Sequence, residues 1–90
     1  MTDVPSKAQP EPGPFARAAS DEVRLAMFRH RVSGAQLAAM TERSQSYISK
    51  RLRNDAAFTA NDIEDICRVL GEDLLDFLTR AVLTMRRQRE

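Results

Sequence analysis

The sequence predicts an all-α domain of five helices preceded by a proline-rich tail. Apolar residues recur at helical spacing in five segments, and a residue suited to begin a helix precedes each of them. No run alternates β-branched with polar residues, so no strand is predicted. Ninety residues are enough for one domain with a small core, which disfavours a large enclosed active site.

All four prolines lie in residues 1–19. Proline has no backbone N–H and fixes φ, so this stretch is predicted to be a disordered tail and not a helix or a central strand. We therefore place the folded domain at residues 20–90 and expect it to end in an extended C-terminal helix.

The predicted N-caps of the five helices are Ser20, Ser33, Ser44, Thr59 and Asp73. Gln36, three residues after its cap, completes a capping box, and Asp62 takes the same position in the fourth helix. The first helix carries a broad apolar stripe that includes Leu25 and Phe28. Gly71 is expected just beyond the end of the fourth helix.

The net charge is only +1, but the charges are unevenly distributed along the chain. Residues 20–53 carry a net +4, residues 54–79 carry −6, and residues 80–90 carry +3. Such a polarised chain suggests a basic face that meets an anion. The acids of residues 54–79 are expected to form a solvated face away from that anion, with a protein partner as the alternative.

Residues 34–53 have the span of a helix-turn-helix, whose second helix enters a major groove about 12 Å wide. The two helices must cross closely, which requires a small residue in the first and a branched apolar residue facing it in the second. Ala38 and Ile48 meet this requirement, and Leu37 completes the predicted core of the unit. The opposite side of the second helix is then polar and directed at DNA.

The residues predicted to read base edges are Gln45, Ser49, Lys50 and Arg53. Glutamine pairs bidentately with adenine, and arginine or lysine pairs with guanine. The residues predicted to contact phosphate are Arg43, Ser44, Ser46, Tyr47 and Arg51. The alternative interpretation is that these side chains form the ordinary solvated face of a helix.

The run LAAMTERSQSYISKRLRND, from Leu37 to Asp55, resembles the XRE/Cro-type helix-turn-helix family. Its segment SQSYISKRL is particularly similar to the actinobacterial and actinophage branch, and the likeness extends over residues 24–78. The resemblance implies a lambda-repressor-like fold of five helices and the function of an immunity repressor or a Cro-like protein. It also implies that Gln45 and Ser46 contact bases and phosphate.

Four positions depart from that family's pattern. Glu42 stands where the turn usually has glycine, so it lacks glycine's easy access to positive φ. Thr41 and Arg43 take positions that are usually apolar, and Gly34 stands where the family often has a glutamine that grips phosphate. These departures affect the turn and the phosphate contacts and leave the fold prediction unchanged.

We therefore expect a transcription regulator that binds a double-stranded DNA operator, as a phage or prophage repressor or a Cro-like switch protein. The apolar residues of the last helix continue through Met85, which suggests a homodimer formed through the C-terminal helix. Two alternatives remain open. One is a protein-interaction module such as an antitoxin or an accessory subunit, and the other is a phage excision or DNA-architecture factor.

The sequence does not predict an enzyme, a metal site, a cofactor or a small-molecule ligand. His30 is the only histidine and Cys67 the only cysteine, and neither has an expected partner for catalysis or metal binding. Cys67 lies on an apolar helix face and is expected in the core. No apolar run approaches the ~18 residues of a membrane span, and no signal-peptide core is present, so a cytoplasmic location without membrane contact is expected.

Overall fold

The computed structural model describes residues 10–89, and within that range it contains five α-helices and no strand. The helices are α1 (Pro14–His30), α2 (Gly34–Met40), α3 (Gln45–Leu52), α4 (Ala60–Leu70) and α5 (Leu74–Gln88). The predicted fold class is confirmed. Residues 1–9 of the predicted tail lie outside the described residues. None of the described helices has a stretch that is long and apolar enough to span a bilayer.

Helix α1 begins more than a turn earlier than predicted, so the predicted domain boundary at residue 20 is wrong. Gly13 is its N-cap and Pro14 its first residue. Proline is favoured in the first turn of a helix because its missing N–H has no partner there and its φ already suits the helix. Ala18 and Ala19 are buried, so this added turn is part of the domain.

Ser20 lies inside α1 and is not a cap. It is buried, and its hydroxyl donates to the carbonyl of Arg51 at 2.8 Å. One turn further on, the guanidinium of Arg24 donates to the carbonyl of Leu52. The last carbonyls of a helix have no partner within it, so these two side chains satisfy the C-terminal end of α3. Helix α1 therefore fixes that end of α3.

The other predicted helix ends are confirmed. The side chains of the following caps each accept a bond from the backbone N–H three residues on: Ser33, Ser44, Thr59 and Asp73. Gln36 and Asp62 complete capping boxes in α2 and α4. Gly71 ends α4 with φ 72°, a left-handed conformation that glycine adopts without a steric cost.

The core lies between α1 and the other helices, with α1 packed most extensively on α5. Its largest fully buried apolar side chains are Phe77, Leu37, Ile48, Ile66 and Val23. Leu25 and Phe28 were predicted to share the apolar stripe of α1, but both are exposed, and Phe28 is 83% exposed. They lie outside the narrower row Val23, Ala26 and Met27 that the neighbouring helices cover.

Two of the seven acids of residues 54–79, Asp62 and Glu72, lie apart from the solvated face that was expected, whereas Asp55, Glu64, Asp73 and Asp76 are exposed. The carboxylate of Glu72 is largely buried and accepts bonds from Arg29 at 3.1 Å and Arg80 at 2.8 Å. His30 Nε2 lies 2.8 Å from the same carboxylate, so His30 does have a partner. Because Arg29 and His30 belong to α1 and Arg80 to α5, Glu72 ties these two helices to the turn between α4 and α5.

We expect the Glu72→Gln variant to lose less stability in acid than the unaltered chain. Burial raises the pKa of Glu72, but the bonds from His30, Arg29 and Arg80 outweigh it and set the pKa below its ordinary value of 4.5. Such a carboxylate contributes stability that is present above pH 4.5 and is lost as the pH falls through the folded-state pKa. Urea unfolding from about pH 7 to about pH 3 measures this loss.

The matched control is Glu64→Gln, because Glu64 is an exposed acid on α4. This control should keep the acid dependence of the unaltered chain. Parallel stability curves for Glu72→Gln and the unaltered chain would contradict the role given to Glu72.

Candidate nucleic-acid interface

Helices α2 and α3 and the turn between them form a helix-turn-helix whose two helices pack on each other. Leu37 and Ile48 are fully buried and Ala38 is nearly so, which is where the sequence placed all three. One side of α3 is therefore fixed against the core. The opposite side is left facing outward.

The turn contains Glu42 in the left-handed region, with φ 58°. The chain closes behind it, where the N–H of Arg43 donates to the carbonyl of Ala38 at 2.9 Å. Thr41 is buried in a usually apolar position, and its hydroxyl is satisfied by donating to the carbonyl of Leu37 at 2.8 Å. The turn thus adopts a positive φ at this position without the usual glycine.

We expect Glu42→Gly to raise the free energy of unfolding by up to about 1 kcal/mol. A left-handed conformation costs a residue with a Cβ roughly 1–2 kcal/mol, and the greater freedom of glycine in the unfolded chain offsets part of this gain. Chemical denaturation measures the change. Glu42→Ala is the control, since it removes the same charge but keeps the Cβ. If Glu42→Ala raised the free energy of unfolding as much as Glu42→Gly, the loss of charge and not the relief of backbone strain would be responsible.

The outward side of α3 carries the predicted base-reading residues. Exposed on it are Gln45, Ser46, Lys50 and Arg53, and Ser49 is half-buried. At 100° per residue, Gln45, Ser49 and Arg53 lie along one line of the helix. Arg53 pairs with Asp55 at 2.9 Å, but both side chains are more than half exposed, so water screens the pair. The four exposed side chains, Gln45, Ser46, Lys50 and Arg53, can therefore reach a ligand laid along this side.

A polar cleft of about 460 Å³ lies along α3 and begins at its N-terminal end. It is lined by residues of the cap, the helix and the loop that follows it: Ser44, Ser46, Tyr47, Lys50, Arg51, Asp55 and Ala56. Ser44 accepts a bond from the N–H of Tyr47 at 3.0 Å and keeps its own hydroxyl proton to donate. The N-terminal end of a helix carries partial positive charge and unpaired N–H groups. An anion such as a backbone phosphate fits this position.

Arg43 does not lie where a phosphate contact was predicted. Its Nε donates to Asp62 at 2.7 Å, its Nη2 to Asp65 at 2.9 Å and its Nη1 to the carbonyl of Thr41 at 2.8 Å. The side chain is only 18% exposed. With its three nitrogens engaged inside the domain, Arg43 joins the turn to α4 and is not free to bind DNA.

Tyr47 and Arg51, two of the residues predicted to contact phosphate, are bonded within the domain and also line the polar cleft beside α3. The hydroxyl of Tyr47 donates to Asp62 at 2.8 Å, and burial together with this bond raises the pKa of Tyr47. The guanidinium of Arg51 stacks 3.4 Å from the centre of the Tyr47 ring and is 11% exposed. Both side chains thus lie on the side of α3 that faces α4.

The residue that sequence reasoning missed is Asp62, which was identified only as the third residue of α4. It is 1% exposed and meets Arg43 and Tyr47 together. The available signal was Arg43 itself, an arginine in a usually apolar position, because a charge is seldom buried without an opposite charge beside it.

The only histidine, His30, lies against Glu72, and the only cysteine lies in the core. Cys67 is buried in the core, as predicted, and burial raises the pKa of its thiol. Within residues 10–89 no three His, Cys, Asp or Glu side chains are grouped so that they could hold a metal ion.

Helix α5 has two sides. Phe77 and Ala81 are buried against the domain, whereas Leu75, Val82 and Leu83 are exposed, Leu75 to 71%. Helix α5 therefore packs back onto α1. A row of apolar side chains on its other side stays uncovered in the single chain.

The structure is similar to two crystal structures of the clp gene regulator ClgR from Corynebacterium glutamicum. The first has 25% sequence identity and a TM-score of 0.77, and the match covers 89% of this chain and 84% of that chain. The second has 22% identity and a TM-score of 0.70, covering 76% and 88%. No protein-family model matches the sequence, and the curated proteins include no significant sequence match. The five-helix fold with its helix-turn-helix is thus one that a gene regulator also has.

Proposed function

We propose that this chain is a sequence-specific regulator of transcription that reads double-stranded DNA with α3. The observation that carries the proposal is the two-sided character of α3. Its inner side is buried or bonded within the domain, while Gln45, Lys50 and Arg53 extend outward together. The likeness to a structure named as a gene regulator supports the same function.

Base reading follows from the outward side of α3, here called the recognition helix. With this helix in the major groove, the amide of Gln45 pairs with adenine, and Lys50 and Arg53 pair with guanine. Ser49 lies between Gln45 and Arg53 on the same line and bonds to either kind of base. Arg53 exchanges its weak pairing with Asp55 for a base when DNA binds.

Phosphate contacts set the register of the protein on the duplex. We assign them to Ser44, Ser46 and the N-terminal end of α3, and leave out Arg43 because Asp62 and Asp65 hold its guanidinium. Tyr47 and Arg51 line the cleft beside Ser44 and Ser46, and their contacts to phosphate stay a prediction. The basic balance of residues 20–53 adds attraction that does not depend on sequence and weakens with salt.

In this proposal the exposed row of apolar side chains on α5 packs against the same row of a second copy of the chain. The row includes Leu75, Val82 and Leu83. The N-terminal end of α5 carries Asp73 and Asp76, and its C-terminal end carries Arg86 and Arg87. An antiparallel pair of α5 helices brings unlike charges together, whereas a parallel pair brings like charges together. A dimer of this kind presents two recognition helices to paired half-sites.

We further propose that the regulator is a repressor, because a protein bound in the groove at a promoter excludes polymerase from it. The resemblance of residues 37–55 to immunity repressors and Cro-like proteins favours a phage or prophage switch. The likeness to ClgR favours a second candidate of the same class, a regulator of a bacterial host's own genes.

Selection of bound sites from a random duplex pool at about 150 mM salt tests the proposal, because weak non-specific binding is suppressed there. We expect an inverted repeat with half-sites about 10 bp apart, or a multiple of that spacing. One short asymmetric site would support sequence reading but contradict the dimer.

The alternatives predict other results. Failure to enrich any sequence would overturn the proposed function and favour a protein-interaction module. Enriched DNA that is bent strongly, as seen by its gel mobility, would favour an architectural or excision factor over a repressor.

A further inference from the structure

We infer that Asp62 is a positioning residue that holds the recognition helix in the orientation needed for sequence-specific binding, an inference that rests on the proposed function. Asp62 lies in the first turn of α4 and touches no outward surface, being 1% exposed. Its role is therefore exerted through the side chains that it holds.

The carboxylate of Asp62 collects donors from three parts of the chain. One oxygen accepts from Arg43 Nε in the turn at 2.7 Å. The other accepts from the Tyr47 hydroxyl on α3 and from the Thr59 N–H, each at 2.8 Å. Arg51 Nε, also on α3, lies 3.9 Å from this second oxygen and adds a charge contact. The turn, the recognition helix and the cap of α4 thus meet at one buried group.

The side of α3 that Asp62 holds is directly opposite the side proposed to read bases. Tyr47 and Arg51 are one turn apart, and the line through Gln45, Ser49 and Arg53 is rotated from them by roughly 180°. A rotation of α3 about its axis would break the bond from Tyr47 to Asp62 and separate Arg51 from the carboxylate as it moved the base-reading side chains. Asp62 therefore fixes the rotation of the helix, while Ser20 and Arg24 fix its C-terminal end.

An aspartate suits this position because the groups that face it are all donors. A carboxylate only accepts, whereas an asparagine would turn its own NH₂ toward one of these donors. An asparagine has one acceptor oxygen where the aspartate has two, so it cannot accept both from Arg43 Nε and from the pair Tyr47 and Thr59. It also removes the negative charge that faces Arg43 and Arg51. The substitution thus weakens the junction between the turn, α3 and α4.

The test compares Asp62→Asn with Glu64→Gln in the full chain. Both changes remove one acid from α4, and Glu64 is exposed and outside the proposed interface. For each protein, affinity is measured for the selected operator and for a scrambled duplex at several salt concentrations, at a temperature where circular dichroism shows it folded. We expect Asp62→Asn to lose about tenfold or more in the ratio of the two affinities, the loss of roughly one base contact. Glu64→Gln should keep the ratio of the unaltered chain.

A merely structural role lowers the folded fraction, so it reduces both affinities equally and leaves their ratio unchanged. An unchanged ratio in Asp62→Asn would therefore overturn the inference. An unaltered chain that does not discriminate between the two duplexes would instead overturn the proposed function itself.

If Asp62→Asn does not fold, Tyr47→Phe is tested in its place. It removes the hydroxyl that donates to Asp62 and keeps the buried carboxylate with its arginines. We expect the affinity ratio to fall in the same direction by a smaller factor, about threefold. A loss shared equally by both duplexes would mean that the Tyr47 hydroxyl supports the folded fraction or binds phosphate directly and does not orient α3, and would overturn the inference.

Discussion

Replacing Ile48 with alanine should lower the free energy of unfolding by about 2–5 kcal/mol. Ile48 is fully buried and is the main anchor of the recognition helix in the core. The total stability of a small domain is only about 5–15 kcal/mol, so this loss is a large part of it. Since each kcal/mol shifts the melting temperature by about 4–8 °C at this size, thermal unfolding should show a fall of about 10 °C or more.

Lys50→Ala is the matched control, since Lys50 lies two residues away on the exposed side of the same helix. Its stability should change by no more than about 0.5 kcal/mol, while its affinity for DNA falls. A loss below about 1 kcal/mol for Ile48→Ala would contradict the packing of α3 described above.

The burial of Ile48 was predictable from sequence because short-range rules set it. Its spacing from Ala38 and the caps at Ser33 and Ser44 place α2 and α3 without any knowledge of the other helices. The start of α1 was missed for the opposite reason. Pro14 is compatible with both a tail and a first helical turn, and only the burial of Ala18 and Ala19 against the rest of the fold decides between them.

The interface was predictable only in part, because some of its side chains are set by local helix periodicity and others by contacts between distant parts of the chain. Gln45 and Lys50 project outward from a local helix pattern, so sequence periodicity locates them. The engagement of Arg43, Tyr47 and Arg51 depends on Asp62, which is 15 residues from Tyr47 in the chain. Such a pairing follows from how α4 packs near the turn, and helical periodicity carries no information about it.

Gln45→Ala should cost about 1–3 kcal/mol of binding free energy at one base pair of the operator, or about 5–150-fold in affinity. Gln45 is exposed at the start of the recognition helix, so its removal should leave the fold unchanged. The loss arises because the bidentate amide contact to adenine exists only on the correct base. Competition binding with operators changed at single positions measures it, and discrimination should disappear at one position only.

Ser46→Ala provides the contrast, because a phosphate contact is the same on every sequence. The Ser46→Ala variant should lose the same factor in affinity for the operator and for a scrambled duplex. An equal loss for Gln45→Ala would mean that Gln45 also binds the backbone. Lys50 and Arg53 would then be left to read the bases, and the recognition helix would have to lie with its C-terminal half, and not its N-terminal end, deepest in the groove.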